Sequence, residues 1–262
     1  MRSITGLCRI NSLPYASLGG GVHEQRLESL RFRAYFKEMA SFDSLKPMVS
    51  SEIIESFQIV WDNLGKPGSW WSGRQRIEIA KEIRDSNPPS IAERIVDFSN
   101  YSNETTDGIT PFVKAVARKI AYESSSIDKN VFDQIVAVIG EDQYAEIAAI
   151  ASQLIPIYHL ADILGYDREE LPNAEPGPPS AERPDDLIEG VGFLPTSPTN
   201  GVPHVAVSLS LAQADNARRM LLVRAMYSGK DFGEMIWTHR NLSRPQIELV
   251  AARTSAMNEC FY

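Results

Sequence analysis

From Leu27 onward, apolar residues recur at three- and four-residue spacing almost without a break, and alternating β-branched runs are few. That spacing is the period of a helix, and it leaves little sequence from which a sheet could be built. An all-α fold is expected. Ser51 to Asn63 (SEIIESFQIVWDN) places Ile53, Ile54, Phe57, Val60 and Trp61 on one stripe, which predicts a core-facing helix. Ser72 to Asp85 repeats the pattern with Ile77, Ala80 and Ile83 and stops at SNPP, because Pro88 disfavours helix at Asn87. Three more helices are expected over Asp107 to Glu123, Asp128 to Ile139 and Asp142 to Leu164, the last closed by Gly165 at its C′ position.

The composition changes at residues 169–189, where EELPNAEPGPPSAERPDDLI holds five prolines and little to bury. This stretch reads as a linker. It divides a first helical unit, 27–168, from a second, 190–262, which opens on a loop (FLPTSPTNGVP) and continues with a helix from about Ala214 to Tyr227. The two units share one plan. SFDSLKPMVSSEIIESFQIVWDNL matches AVSLSLAQADNARRMLLVRAMYSG, and RIEIAKEIR (Arg76 to Arg84) answers QIELVAART (Gln246 to Thr254), with Glu78 opposite Glu248. Two tandem copies of one helical plan are therefore expected, the second shorter than the first.

With 262 residues and 43% hydrophobic content, the chain can bury a sizeable core. A net charge of -8 lacks the basic face that nucleic acid or an anionic membrane requires, so neither is an expected partner. Two cysteines, Cys8 and Cys260, make no disulfide framework and no four-thiolate zinc site, and a reducing, cytoplasmic setting is expected. No apolar run reaches the ~18 residues of a membrane span; the longest, IAAIASQLIPIY, holds Ser, Gln and Pro. Residues 1–26 lack the sustained apolar stretch of a signal peptide and read as a disordered leader containing Cys8. His204 and His239 stand in loops without a ligand-spaced partner, so no metal is expected, and no cofactor is implied. His159 reads as a structural helix histidine, and Trp70 and Trp71 as packing residues.

The last stretch, LSRPQIELVAARTSAMNECFY, carries the strongest helix start. Ser243 and Gln246 have the spacing of a capping box, Leu242 and Ile247 that of a hydrophobic staple, and Pro245 falls in the first turn, where no helical donor is lost. Ile247, Val250, Ala251, Thr254 and Met257 form a stripe expected to be buried, with Glu248 at its edge. Twelve residues separate Glu248 from Cys260. In one straight helix that is roughly 18 Å, too far to share a site. Asn258 tolerates the left-handed conformation, so the helix can end there and a second can begin at Cys260 and fold back. In such a first turn the amide dipoles would lower the thiol pKa.

These residues resemble the start of the signature of the alkylhydroperoxidase / carboxymuconolactone decarboxylase family. Its peroxidase members carry a glutamate, then twelve residues on the first cysteine of a C-x-x-C pair, then a histidine four residues after the second cysteine. Glu248 and Cys260 match the glutamate and the first cysteine, with A-x-N-x-C between. WWSGRQRIEIAKEIR and YAEIAAIASQLIPIYHLADILG are similar to other helices of that fold, as in members with two fused copies.

The resemblance implies a thiol-dependent peroxide reductase. The second cysteine of the pair attacks the peroxide and becomes a sulfenic acid, the first condenses with it, and a dithiol or lipoyl-type adaptor reduces the resulting disulfide. Glu248 would serve the proton relay, Cys260 would be the resolving and adaptor-facing thiol, and helical units of this family tend to form homo-oligomers. The sequence departs from the pattern where the second cysteine and the histidine would stand, and DSNPPSIAER after Glu78 offers no cysteine to the first copy. The first copy is thus expected to be inert, and the second to be cut within its motif. Two alternatives stay open: a non-catalytic helical scaffold, and a cysteine-independent, decarboxylase-like enzyme of the same fold.

Overall fold

The structure is a computed structural model in which residues 42–85, 108–228 and 241–257 are described. They form an all-α fold. Its helices are α1 (Ser51–Leu64), α2 (Gly73–Asp85), α3 (Pro111–Tyr122), α4 (Lys129–Ile139), α5 (Glu141–Leu164), the single turn α6 (His204–Val207), α7 (Gln213–Val223) and α8 (Arg244–Met257). A π-turn, Arg224–Ser228, extends α7. The described residues contain no β-strand, only an isolated bridge between Ile188 and Thr196.

Local signals set these boundaries. The Ser50 hydroxyl caps α1 by accepting from the Ile53 amide at 3.4 Å, and the Asp128 carboxylate caps α4 through the Val131 amide at 2.8 Å. The helix expected from Asp107 starts instead at Pro111. Thr110 takes the cap there, accepting from the Val113 amide at 3.2 Å, and Pro111 supplies a first turn that needs no donor. Gly165 closes α5 in the left-handed conformation, at φ 75°.

Helix α5 is the axis of the molecule: α2, α3, α4 and α7 all pack on it. Its Ile147, Ile150, Leu154 and Ile157 are sealed from solvent. By length and composition alone, this 24-residue helix could cross a membrane, contrary to the expectation from its sequence. Its inward face nevertheless carries Glu146 and Gln153, both buried, as well as the apolar residues of a core helix. An edge-to-face series of rings, Phe42 on Trp61 at 5.0 Å and Trp61 on Tyr158 at 6.1 Å, fills one end of the core.

The proline-rich stretch has no regular structure, but it is not a free spacer. The Trp61 indole donates to the Glu170 carbonyl at 2.8 Å, and the amides of Glu175, Ser180 and Ala181 donate to the carbonyls of Gly65, Gly68 and Ser69 at 2.8–3.0 Å. It lies as a strap across the α1–α2 loop. Beyond it the chain returns to the same core, where Leu222 of α7 is buried with residues of α1, α2 and α5. Helices α1 and α7, which the sequence pairs as copies, pack directly on each other.

Candidate functional site

Glu248 lies in the second turn of α8, partly exposed. The Tyr227 hydroxyl donates to its Oε2 at 2.9 Å, and Arg244 Nε stands 3.8 Å from its Oε1. Burial and the adjacent Glu248 carboxylate push the Tyr227 phenol above its ordinary pKa, so it remains a proton donor to that carboxylate. Tyr227 sits on the π-turn, a distortion that rotates the end of α7 out of regular helical register. Cys260 and the Asn258 turn lie outside the described residues, as do His239 and Cys8.

At the start of α8 the glutamine half of the expected capping box is present: Gln246 Oε1 accepts from the Ser243 amide at 2.8 Å and from its hydroxyl at 3.0 Å. The apolar stripe behaves differently. Ile247 is buried, but Val250 is 59% and Met257 69% exposed, and Thr254 is exposed too. Leu242, at the staple position, is also half exposed. Among the described residues, too few elements lie against α8 to cover the face its periodicity creates.

Helix α2, its counterpart, begins on a capping box that sequence reading missed. Gln75 Oε1 accepts from the Ser72 amide and hydroxyl at 3.1 and 2.9 Å. Aligning the caps puts Arg76 and Ile247 at the same fourth helical position, and Glu78 then falls one position beyond Glu248 rather than opposite it. Glu78 pairs with Lys81 at 2.8 Å and lines a groove of about 700 Å³ between α2 and residues 170–176.

Sequence reading also missed the main cluster of buried charge. Arg76 of α2 forms a two-pronged pair with Asp215 of α7, Nη1 to Oδ2 at 2.8 Å and Nη2 to Oδ1 at 2.9 Å. Its Nη1 also bonds Glu146 of α5, and its Nε donates to the Leu64 carbonyl at 3.2 Å. All three charged side chains are almost fully buried. Gln153 and Arg218 donate to Asp215, at 3.2 and 2.8 Å, and the Trp70 and Trp71 amides donate to Glu146. Burial alone would lower the Arg76 pKa, but Asp215 and Glu146 together raise it. Asp215, which burial would raise, is held below the carboxylate range by Arg76 and Arg218. For Glu146 burial prevails, and its pKa is raised. Two cations face two carboxylates, and no enclosed polar atom of the cluster lacks a partner. The cluster is an internal joint between α2, α5 and α7, with no free group aimed at a ligand.

The remaining expected residues are structural or isolated. Both tryptophans pack and bond, Trp70 Nε1 to the Leu211 carbonyl at 2.6 Å and Trp71 Nε1 to the Gln143 carbonyl at 3.1 Å. His159 and His204 are exposed, and the described residues contain no cluster able to hold a metal ion. No protein-family model matches the chain, and no curated protein or solved structure matches it.

Proposed function

We propose that the chain is a thiol-dependent peroxide reductase-like protein in which Glu248 serves the proton relay and Cys260 is the resolving, adaptor-facing thiol. One observation carries this reading: on the helix that leads to Cys260, the Glu248 carboxylate is fixed by the Tyr227 hydroxyl at 2.9 Å. A carboxylate so oriented can take a proton from a thiol directly or through water. In the resolving step the Cys260 thiolate attacks the sulfur of a cysteine sulfenic acid. The S–S bond forms as the S–O bond breaks, and hydroxide leaves as water after taking up a proton. A dithiol adaptor then exchanges twice with the disulfide, ending as its own disulfide and restoring both thiols.

The attacking cysteine of such a pair is not among the 262 residues, so these residues alone should turn over peroxide slowly or not at all with a dithiol reductant. The direct test is Cys260 reactivity in a Cys8→Ser background, using oxidised lipoamide as the probe. Cys260 should react faster than free cysteine, and Glu248→Gln should slow it by about 100-fold, the low end of general-base effects. Equal rates and equal pH dependence for free cysteine, the parent and Glu248→Gln would remove the basis of the proposal.

A second reading, a non-catalytic helical scaffold, is favoured by the sealed Arg76 joint, in which the buried charges are spent on packing α2, α5 and α7 together. It predicts that Cys260→Ser changes neither thiol-dependent chemistry nor assembly.

A further inference from the structure

Arg219 of α7 is buried, with 8% of its surface exposed, yet its hydrogen-bond acceptors among the described residues are all neutral. Its Nε and Nη2 donate to Asn216 Oδ1 at 3.1 and 2.7 Å, and Nη2 also reaches the Val205 carbonyl and Ser208 Oγ. Asn216 Nδ2 in turn donates to the Ala206 carbonyl at 2.8 Å. One edge of the guanidinium therefore clamps the α6 turn to α7. None of these acceptors carries charge, and no carboxylate among the described residues pairs with Arg219. Asp215, one turn earlier on α7, is committed to Arg76, Arg218 and Gln153. Burial lowers the Arg219 pKa with nothing opposing it, the reverse of Arg76.

Buried charges in proteins are ordinarily paired, because an unpaired one forfeits its hydration for nothing. The second edge of Arg219 shows where a partner would go. Its Nη1 has no partner among the described residues and is not among the enclosed polar atoms that lack one, so it meets solvent. We infer that Arg219 anchors an oxyanion-binding site, in which Nη1 takes the oxygen of a carboxylate or phosphate group and that anion supplies the countercharge that the described residues do not. The Asn216, Val205 and Ser208 contacts hold the guanidinium plane in place, so the ligand meets a donor that loses little further freedom on binding.

The test is thermal unfolding of the full chain in inorganic phosphate and, separately, in acetate, each against sodium chloride at matched ionic strength. At ten times its half-saturating concentration the bound anion should raise Tm by about 3–6 °C over chloride, and the arm showing the larger rise identifies the source. Arg219→Met should abolish the increment, and Arg219→Lys should reduce it. Should Arg219→Met fail to fold, line broadening of the phosphate phosphorus resonance by the parent protein, reduced by Arg219→Lys, gives the same decision. Tm values equal to those in chloride for both anions, or an increment that survives in Arg219→Met, would overturn the inference. Phosphate broadening undiminished in Arg219→Lys would overturn it as well.

Discussion

Helices α2 and α8 begin alike and end differently. Each starts on a serine whose amide and hydroxyl are taken by a glutamine three residues on, and each buries the side chain at its fourth position. In α2 that residue is Arg76, and Ile77, Ile79, Ala80 and Ile83 are buried beyond it against α3 and α5. In α8 it is Ile247, and beyond it Leu249, Val250 and Met257 are exposed. A helix start is thus decided by a few neighbouring residues, whereas the worth of its apolar face depends on what lies opposite.

The sharpest way to break this comparison is at the shared fourth position. Arg76→Met should cost about 3–5 kcal/mol in urea unfolding, because it strands Glu146 and Asp215 as buried charges. A loss near 1 kcal/mol would mean that the joint is not sealed. The same joint has a pH signature. Asp215 is held below its unfolded pKa of about 3.9, so the stability it contributes is complete above that pH and is lost as pH falls further. Glu146 has the opposite sign: its raised pKa means that its ionisation opposes folding as pH rises past about 4.3. Asp215→Asn should therefore flatten the acid limb of the stability profile below pH ~4, and Glu146→Gln should not.

Next in size is Ile83→Ala, which removes a fully buried side chain from α2 and should cost about 2–4 kcal/mol, read as a lower urea midpoint. Smaller again are the two caps. Ser72→Ala and Ser243→Ala each remove a hydroxyl bonded to the glutamine Oε1, and should each cost about 1 kcal/mol of helix stability, equally, since the cap is a local bond whatever covers the helix. Unequal losses, compared by hydrogen exchange at the two helix starts, would show that burial enters the cap as well.

The same contrast explains what the sequence disclosed. Helix existence was legible almost everywhere, because spacing, caps and Gly165 act within a few residues of one another. The joint was not, since Arg76 meets its partners 70 and 139 positions away, and within RIEIAKEIR it looks like one more surface charge. Tyr227 escaped for a related reason. It finds Glu248 across 21 positions, from a π-turn that helical periodicity does not foresee. The strap contacts of the proline-rich stretch are not legible either, because proline content reports the lack of regular structure and carries no information about backbone bonds to a distant loop.

The smallest expected effect lies on the exposed face of α8. Val250 and Leu249 are 59% and 71% exposed, so truncating either removes little apolar surface that folding had taken from water. Val250→Ala and Leu249→Ser should each fall within about 0.5 kcal/mol of the parent in urea unfolding. The loss at Ile83, several times larger on the helix with the same start, is the proper control. If Val250→Ala costs as much as Ile83→Ala, the face is covered in solution, and the difference between α2 and α8 would lie in their partners and not in burial.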